Sequence, residues 1–337
     1  MKTDLYIILI IATAWLFAAC SQDTDMEPAG ESAQESALPD ASLQMVGLTR
    51  VALGESDFGD IRVLLNDGET TSQGVFKYDG VADWTTKLKL KSVTQTYRTY
   101  GYMPDNESLS GSLDIVDADN AVMHIQGLSP VTTQDFCVIT GVRQAENASD
   151  LTSASRGNFT FEYVSSRQNY INLLFDHLYG RVVIWMKVDA DYNALRTVKI
   201  KSMQLQLPAI SQASADVTLT NEAGMSSVSF AVTETNEMTL DIRTTDITLS
   251  TTLTEIASAY LAPFSGMLDN LVLVTTYDVY DKKGNKVAER TASNKLSVPL
   301  ADMTSGEQRA VNITVAPTYL YVLSDFDLNN PSLTIDN

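Results

Sequence analysis

Two histidines and two cysteines are the only imidazoles and thiols in this 337-residue chain. His124 (Met123-His124-Ile125) and His177 (Phe175-Asp176-His177-Leu178-Tyr179) stand among apolar neighbours, far apart in sequence. Neither has a Cys, Asp or second His at the spacing of a metal-binding motif. That pattern predicts core or interface histidines rather than ligands or general bases. Cys137, in Gln134-Asp135-Phe136-Cys137-Val138-Ile139-Thr140, alternates with apolar residues as a buried strand cysteine does. A catalytic thiol would need a polarising partner. Asp189-Ala190-Asp191-Tyr192-Asn193 and Asp325-Phe326-Asp327-Leu328-Asn329 open like calcium loops, but both lack the central glycine and distal glutamate, so turn formation explains them better. Asp117 and Asp119 could be paired glycosidase carboxylates, though a strand-connecting turn explains them equally well. With no nucleophile elbow, phosphate loop or dinucleotide glycine pattern, the residues predict no catalytic group, no metal and no cofactor.

The remaining chemistry lies at the N-terminus. Met1–Cys20 has a basic Lys2, an apolar run from Leu5 to Phe17 and the ending Leu16-Phe17-Ala18-Ala19-Cys20. Small residues directly before a cysteine suit a lipoprotein signal peptidase, after which the Cys20 thiol carries lipid. An acidic, Ser- and Ala-rich stretch follows and reads as a flexible tether. Arg50, in Leu48-Thr49-Arg50-Val51, is the first basic residue after Lys2. A lipid anchor followed by a single basic mark suggests a chain that is tethered first and cut free later, between Arg50 and Val51.

Composition narrows the classes further. The formal charge is −19, from 23 basic and 42 acidic residues, which argues against nucleic acid or anionic lipid as a charge-driven partner. Residues 1–50 hold two of the basic and seven of the acidic side chains, so the remainder still carries −14. With Cys20 lipidated, Cys137 has no partner for a disulfide, and an exported chain must rely on packing. Glycan binding usually requires exposed aromatic platforms. Trp15 leaves with the signal, which leaves Trp84 and Trp185, the latter in a thoroughly apolar stretch.

The elements that would position these residues are strands. From Ser42 the pattern has period two, with Leu43, Met45 and Gly47 on one face before Arg50. Further strands are expected at Ile61–Leu65, Gly74–Tyr78, Lys87–Lys91, Ala121–Ile125, Phe136–Val142, Asn158–Tyr163 and Leu173–Val188. Thr252–Leu261 is the one tempting short helix. In Val198–Leu207 the apolar phase switches from Val198 and Ile200 to Met203, Leu205 and Leu207, which predicts a bulge that bends a strand between two sheets. Leu271–Tyr280 and Val287–Glu289 read as a hairpin around Asp281–Lys286. Val311, Ile313 and Val315 alternate, Pro317 breaks the strand, and Tyr319–Leu323 resumes it. The chain is all-β, most simply two sandwiches with a boundary near residue 170. Apolar β-prone residues then run on through Leu333 and Ile335. They either complete this chain's own sheet or are meant for another chain.

A lipobox cysteine, a tether, a short strand ending in arginine and an all-β body together resemble the fimbrillin family, the structural subunits of type V pili. Tyr100-Gly101-Tyr102-Met103-Pro104, Leu174-Phe175-Asp176-His177-Leu178-Tyr179-Gly180-Arg181-Val182 and Leu195-Arg196-Thr197-Val198-Lys199-Ile200-Lys201 add to the likeness, which spans essentially the whole chain. The acidic cluster after Cys20 resembles a surface-export signal of lipoproteins, or is a solvated linker. The resemblance implies two tandem transthyretin-like β-sandwich domains behind a lipoprotein signal and tether. The parts would be a signal peptide (1–20), a tether with a removable first strand (21–50), sandwiches at 51–168 and 169–316, and a donor-strand candidate (317–337). It implies export to the outer membrane through lipid on Cys20, cutting after Arg50 by an arginine-specific protease, and residence in a cell-surface fimbrium with other fimbrial subunits as partners. Leu43, Met45 and Leu48 would plug a groove that a C-terminal strand of another subunit later fills, with Tyr319, Tyr321, Leu323, Leu333 and Ile335 as donor candidates. Stalk is favoured over tip or anchor. The competing reading is a permanently lipid-anchored glycan-binding lipoprotein or tip adhesin, which needs neither Arg50 nor a spare strand.

Overall fold

A computed structural model of the chain describes residues 43–50, 59–78, 84–86, 88, 90, 94–144, 156–164, 166, 169–234, 236–319 and 326–335. The first half supplies β1 (Leu43–Arg50), β2 (Ile61–Asn66), β3 (Thr71–Tyr78), β4 (Trp84–Thr86), β5 (Gln95–Met103), β6 (Ser110–Ile115), β7 (Asn120–Leu128), β8 (Val131–Thr132), β9 (Cys137–Arg143), β10 (Thr160–Tyr163) and β11 (Asn169–His177). The second supplies β12 (Gly180–Val188), β13 (Thr197–Leu207), β14 (Gln212–Thr220), β15 (Gly224–Glu234), β16 (Met238–Arg243), β17 (Ile247–Thr248), β18 (Thr254–Leu261), β19 (Val272–Tyr280), β20 (Lys286–Lys295), β21 (Gln308–Tyr319) and β22 (Phe326–Ile335). Helix is confined to Ala190–Leu195 and Ser265–Leu268 among the described residues. No described helix is long and apolar enough to cross a membrane. The protein is all-β.

The N-terminal body is a sheet in the order β10-β5-β2-β3-β4-β1-β11-β9, and β9 pairs again with β5, so seven strands close into a ring. Period-two alternation sorts its residues into two cores. Ile61, Val63, Leu65, Phe76, Cys137, Ile139, Ile171, Leu173 and Phe175 form one cluster, inside the ring. Leu64, Tyr100, Tyr102 and Val138 belong to a second, shared with Ala121, Met123 and Ile125 of β7 and Ala215, Val217 and Leu219 of β14. That second core lies under a four-stranded sheet ordered β15-β14-β7-β6. The C-terminal body packs a sheet ordered β22-β21-β12-β18-β8 against one ordered β16-β13-β19-β20, with β17 beside β13.

The expected division at residue 169 is crossed in both directions. The β14–β15 hairpin pairs with β7 (Val217 opposite Met123), and β8 adds to β18 (Leu261 opposite Val131). Gly157 shows how tight the crossing is, because a Cβ at its φ of +79° would lie 2.3 Å from the Asn221 carbonyl oxygen. A row of rings, Tyr102–Phe136–Tyr179–Phe230–Phe264, runs from the ring towards the C-terminal body with centroids 5.6–6.2 Å apart.

Other expectations meet the structure element by element. The Leu173–Val188 strand is two strands, β11 in the ring and β12 in the other body, divided at Leu178-Tyr179. Thr252–Leu261 is no helix but contains β18, central between β12 and β8, where buried apolar residues face both sides and periodicity is lost. The β13 bulge is present, between Ile200 and Ser202 against β19. Pro317 does not break its strand. β21 continues to Tyr319 through a register shift between Ala316 and Thr318, which spares the proline a ladder bond. Asp189 accepts from the amides of Asp191 and Tyr192, capping the short helix, and Asp117 accepts from those of Asp119 and Asn120 in the β6–β7 turn.

Candidate functional site: the terminal strands

β1 is flanked on both sides. It runs parallel to β11 along its length, from Leu43 opposite Asn169 to Arg50 opposite Phe175, and antiparallel to β4 at Gln44 and Met45. A register shift between Met45 and Gly47 changes the phase expected from the sequence. It puts Leu48, not Gly47, opposite Leu173, just as Met45 lies opposite Ile171. Ile171, Leu173 and Phe175 are fully buried in the core of the ring. The residues of the expected plug, Leu43, Met45 and Leu48, thus share one row of the ladder with Arg50.

This placement has a topological consequence. Parallel neighbours cannot be joined by a tight turn, and no part of the described chain crosses over to hold β1 from its N-terminal side. β11 keeps β9 on its far edge and β4 keeps β3, so neither depends on β1 for its place in the sheet. Without β1, backbone donors and acceptors of β11 and β4 would face one another across a strand-wide gap above an apolar floor.

At the other terminus β22 is, among the described residues, an edge strand paired only with β21, and it lies in a different sheet from β1. Leu333 stands opposite Val315 and is 8% exposed, buried in the C-terminal core, with Ile335 opposite Ile313 packed at its margin. The Asn294 side-chain amide of β20 donates to the Leu333 carbonyl at 3.0 Å. Of the other donor candidates, Tyr319 ends β21 opposite Phe326, whereas Tyr321 and Leu323 lie outside the described residues, as do Cys20 and Val51.

Two groupings escaped the sequence. His177 and Cys137 face each other across β11 and β9, and Asp135 lies two residues before Cys137. His177 Nδ1 is 2.7 Å from Asp135 Oδ2 and 3.6 Å from Cys137 Sγ, with all three side chains buried. Only the Asp-x-Cys spacing, with Asp135 just before β9 and Cys137 at its start, could have hinted at this. His124 of β7 sits between Asp216 of β14 at 2.7 Å and Asp114 of β6 at 3.1 Å. The hydrogen bond to Asp216 is the main reason its imidazole titrates above the usual histidine range.

No protein-family model and no curated protein matches the chain. Among solved structures, it is similar to a fimbrial protein of Bacteroides vulgatus, at a TM-score of 0.40 and 10% identity over 88% of this chain and 98% of that one. A candidate cell adhesion protein of Bacteroides uniformis gives 0.41 and 12% over 88% and 98%. The fimbrial anchor protein Mfa2 of Porphyromonas gingivalis gives 0.32 and 10% over 87% and 94%. Fimbrial proteins, the family the sequence resembles, are thus among the structures to which the chain is similar.

Proposed function

We propose that this chain is a structural subunit of a type V pilus, exported as a lipoprotein on Cys20, cut between Arg50 and Val51, and polymerised by strand exchange, with a stalk position favoured. The observation that carries the reading is the place of β1. It is the first strand of the described residues, it fills a position between β4 and β11, and it ends at the arginine. Until the cut, β1 occupies the acceptor site and keeps the subunit monomeric. After the cut, an apolar trough with open backbone edges on both sides favours donation of a strand from another chain. Burying four or five large side chains contributes roughly 1.5–3 kcal/mol each before ordering costs are subtracted. The donor is the C-terminal segment, with Tyr319, Tyr321, Leu323, Leu333 and Ile335 as its apolar contacts. Donor and acceptor lie in different sheets of one subunit, so the contact is heterologous and grows an open filament. An arginine-specific protease and the outer membrane are the partners before assembly, and other subunits afterwards. The test compares residues 21–337 with 51–337 in solution, together with full-length Arg50→Ala on cells. The proposal expects polymer only from the shorter form and no lipid-free surface filaments from the variant. Monomers from both forms, or filaments from Arg50→Ala, would reject it.

A further inference from the structure

We propose that Asp135, Cys137 and His177 bind a divalent transition-metal ion of borderline softness, with zinc the best match. One ligand atom from each residue lies within 4.8 Å of the other two. The donor set is one sulfur, one imidazole nitrogen and one carboxylate oxygen, the mixture that zinc and cobalt accept and that magnesium or calcium does not. Zinc sits about 2.3 Å from sulfur and about 2.0–2.1 Å from nitrogen, which at a tetrahedral angle separates the two donors by roughly 3.6 Å. The Cys137 Sγ to His177 Nδ1 distance is 3.6 Å. Asp135 Oδ2, at 2.7 Å from the same nitrogen, has to move out by about half an ångström to reach the corresponding spacing of roughly 3.3 Å.

Charge supports the same assignment. The three side chains are between 0% and 4% exposed as residues, so an uncompensated ion there would be very costly. A thiolate and a carboxylate against a dication give a neutral centre, with the imidazole neutral. Binding releases the thiol proton and the proton shared between Nδ1 and Oδ2, and no redox change is involved. Three protein ligands also leave the fourth position to a small exogenous ligand.

The site ties strands together. Cys137 pairs with His177 on β11 and with Met103 on β5, so the ion would fasten the closure of the seven-stranded ring. His177 lies two residues beyond Phe175, the register partner of Arg50, so the metal would stiffen the β11 wall beside the end of β1. The resident Asp–His pair is then the metal-free form of the site.

The experiment uses tag-free, chelator-treated protein from residue 21 onward, in which Cys137 is the only thiol. Cobalt(II) is titrated into the folded protein, and separately into protein refolded from denaturant with the ion present, because the site is buried. The proposal expects a near-ultraviolet thiolate-to-cobalt band that saturates at one ion per chain and is displaced by zinc. It also expects a zinc-dependent rise in unfolding midpoint that Cys137→Ser and His177→Ala lose and His124→Ala keeps. Absence of that band in the wild-type protein by both routes overturns the proposal. So does an equal zinc-dependent midpoint shift in wild type and folded Cys137→Ser, and the cobalt band of the wild-type protein decides the matter should the variants not fold.

Discussion

Truncating Leu333 to alanine asks whether the C-terminal strand docks on its own subunit before any exchange. Leu333 is 8% exposed and belongs to the C-terminal core, so Leu333→Ala removes nearly a whole buried side chain. Leucine-to-alanine changes in cores cost about 2–5 kcal/mol, and an edge strand can settle into the gap, so about 2–3 kcal/mol is expected. At a urea slope of roughly 2 kcal/mol per molar, the unfolding midpoint falls by about 1–1.5 M. Thr334, the next residue, is exposed, and Thr334→Ala should stay within about 0.5 kcal/mol. Trp185 stands in β12, two strands from β22 in the same sheet, so its fluorescence in a Trp84→Phe background follows this body. Asn294→Ala, which deletes the donor to the Leu333 carbonyl, should cost about 0.5–1.5 kcal/mol. If Leu333→Ala and Thr334→Ala melt alike, β22 is not docked in the monomer and burial of Leu333 contributes nothing to the C-terminal core.

Three other perturbations have definite signs. Arg62 grips Asp105 through two parallel hydrogen bonds of 3.0 Å, and Arg62→Lys, which cannot make both, should destabilise the protein by about 1.5–3 kcal/mol in chemical denaturation. Tyr179 donates to the Ser129 carbonyl at 2.7 Å and burial pushes its phenol up, so Tyr179→Phe should lower stability by about 1–2 kcal/mol at every pH short of strong alkali. His124 titrates above its ordinary value because of Asp216 and Asp114. Its small contribution is therefore complete below the unfolded histidine pKa of about 6.5 and is lost as pH rises through the higher folded value. An NMR titration should find that value elevated in wild type and lowered towards about 6.5 in Asp216→Asn, and an unchanged titration would refute the cross-strand contact.

What the sequence could disclose was whatever two-residue alternation and local turn chemistry record. The bulge in β13 was legible because Val198 and Ile200 fall out of phase with Met203, Leu205 and Leu207 within one strand. The bulge in β1 was not, since Gly47 and Leu48 both continue a plausible alternation and only the partner β11 decides between them. The interleaving of the two bodies was equally hidden. Ala213, Ala215, Val217 and Leu219 alternate as they would against any apolar sheet, and nothing in them specifies β7 as the neighbour. β18 misled because burial on both faces erases periodicity, leaving Ile256–Leu261 compatible with either a short helix or a strand. Pro317 misled in the opposite way, since a bulge removes the ladder bond that proline cannot make. The terminal strand with its arginine could be read from sequence as a unit. The Asp135–Cys137–His177 cluster could not, because its third member arrives across the sheet, 40 residues on from Cys137.

The most direct test of strand exchange is the composition and connectivity of the polymer itself. Isotopically heavy and light chains of residues 21–337 are mixed, treated with an arginine-specific protease, allowed to assemble, cross-linked and read by mass spectrometry. The account expects subunits that begin at Val51, loss of the 43–50 segment, and heavy-to-light cross-links joining residues 319–335 of one chain to the 169–175 strand of another. A polymer that retains residues 43–50, or one whose C-terminal cross-links stay within single chains, would contradict it.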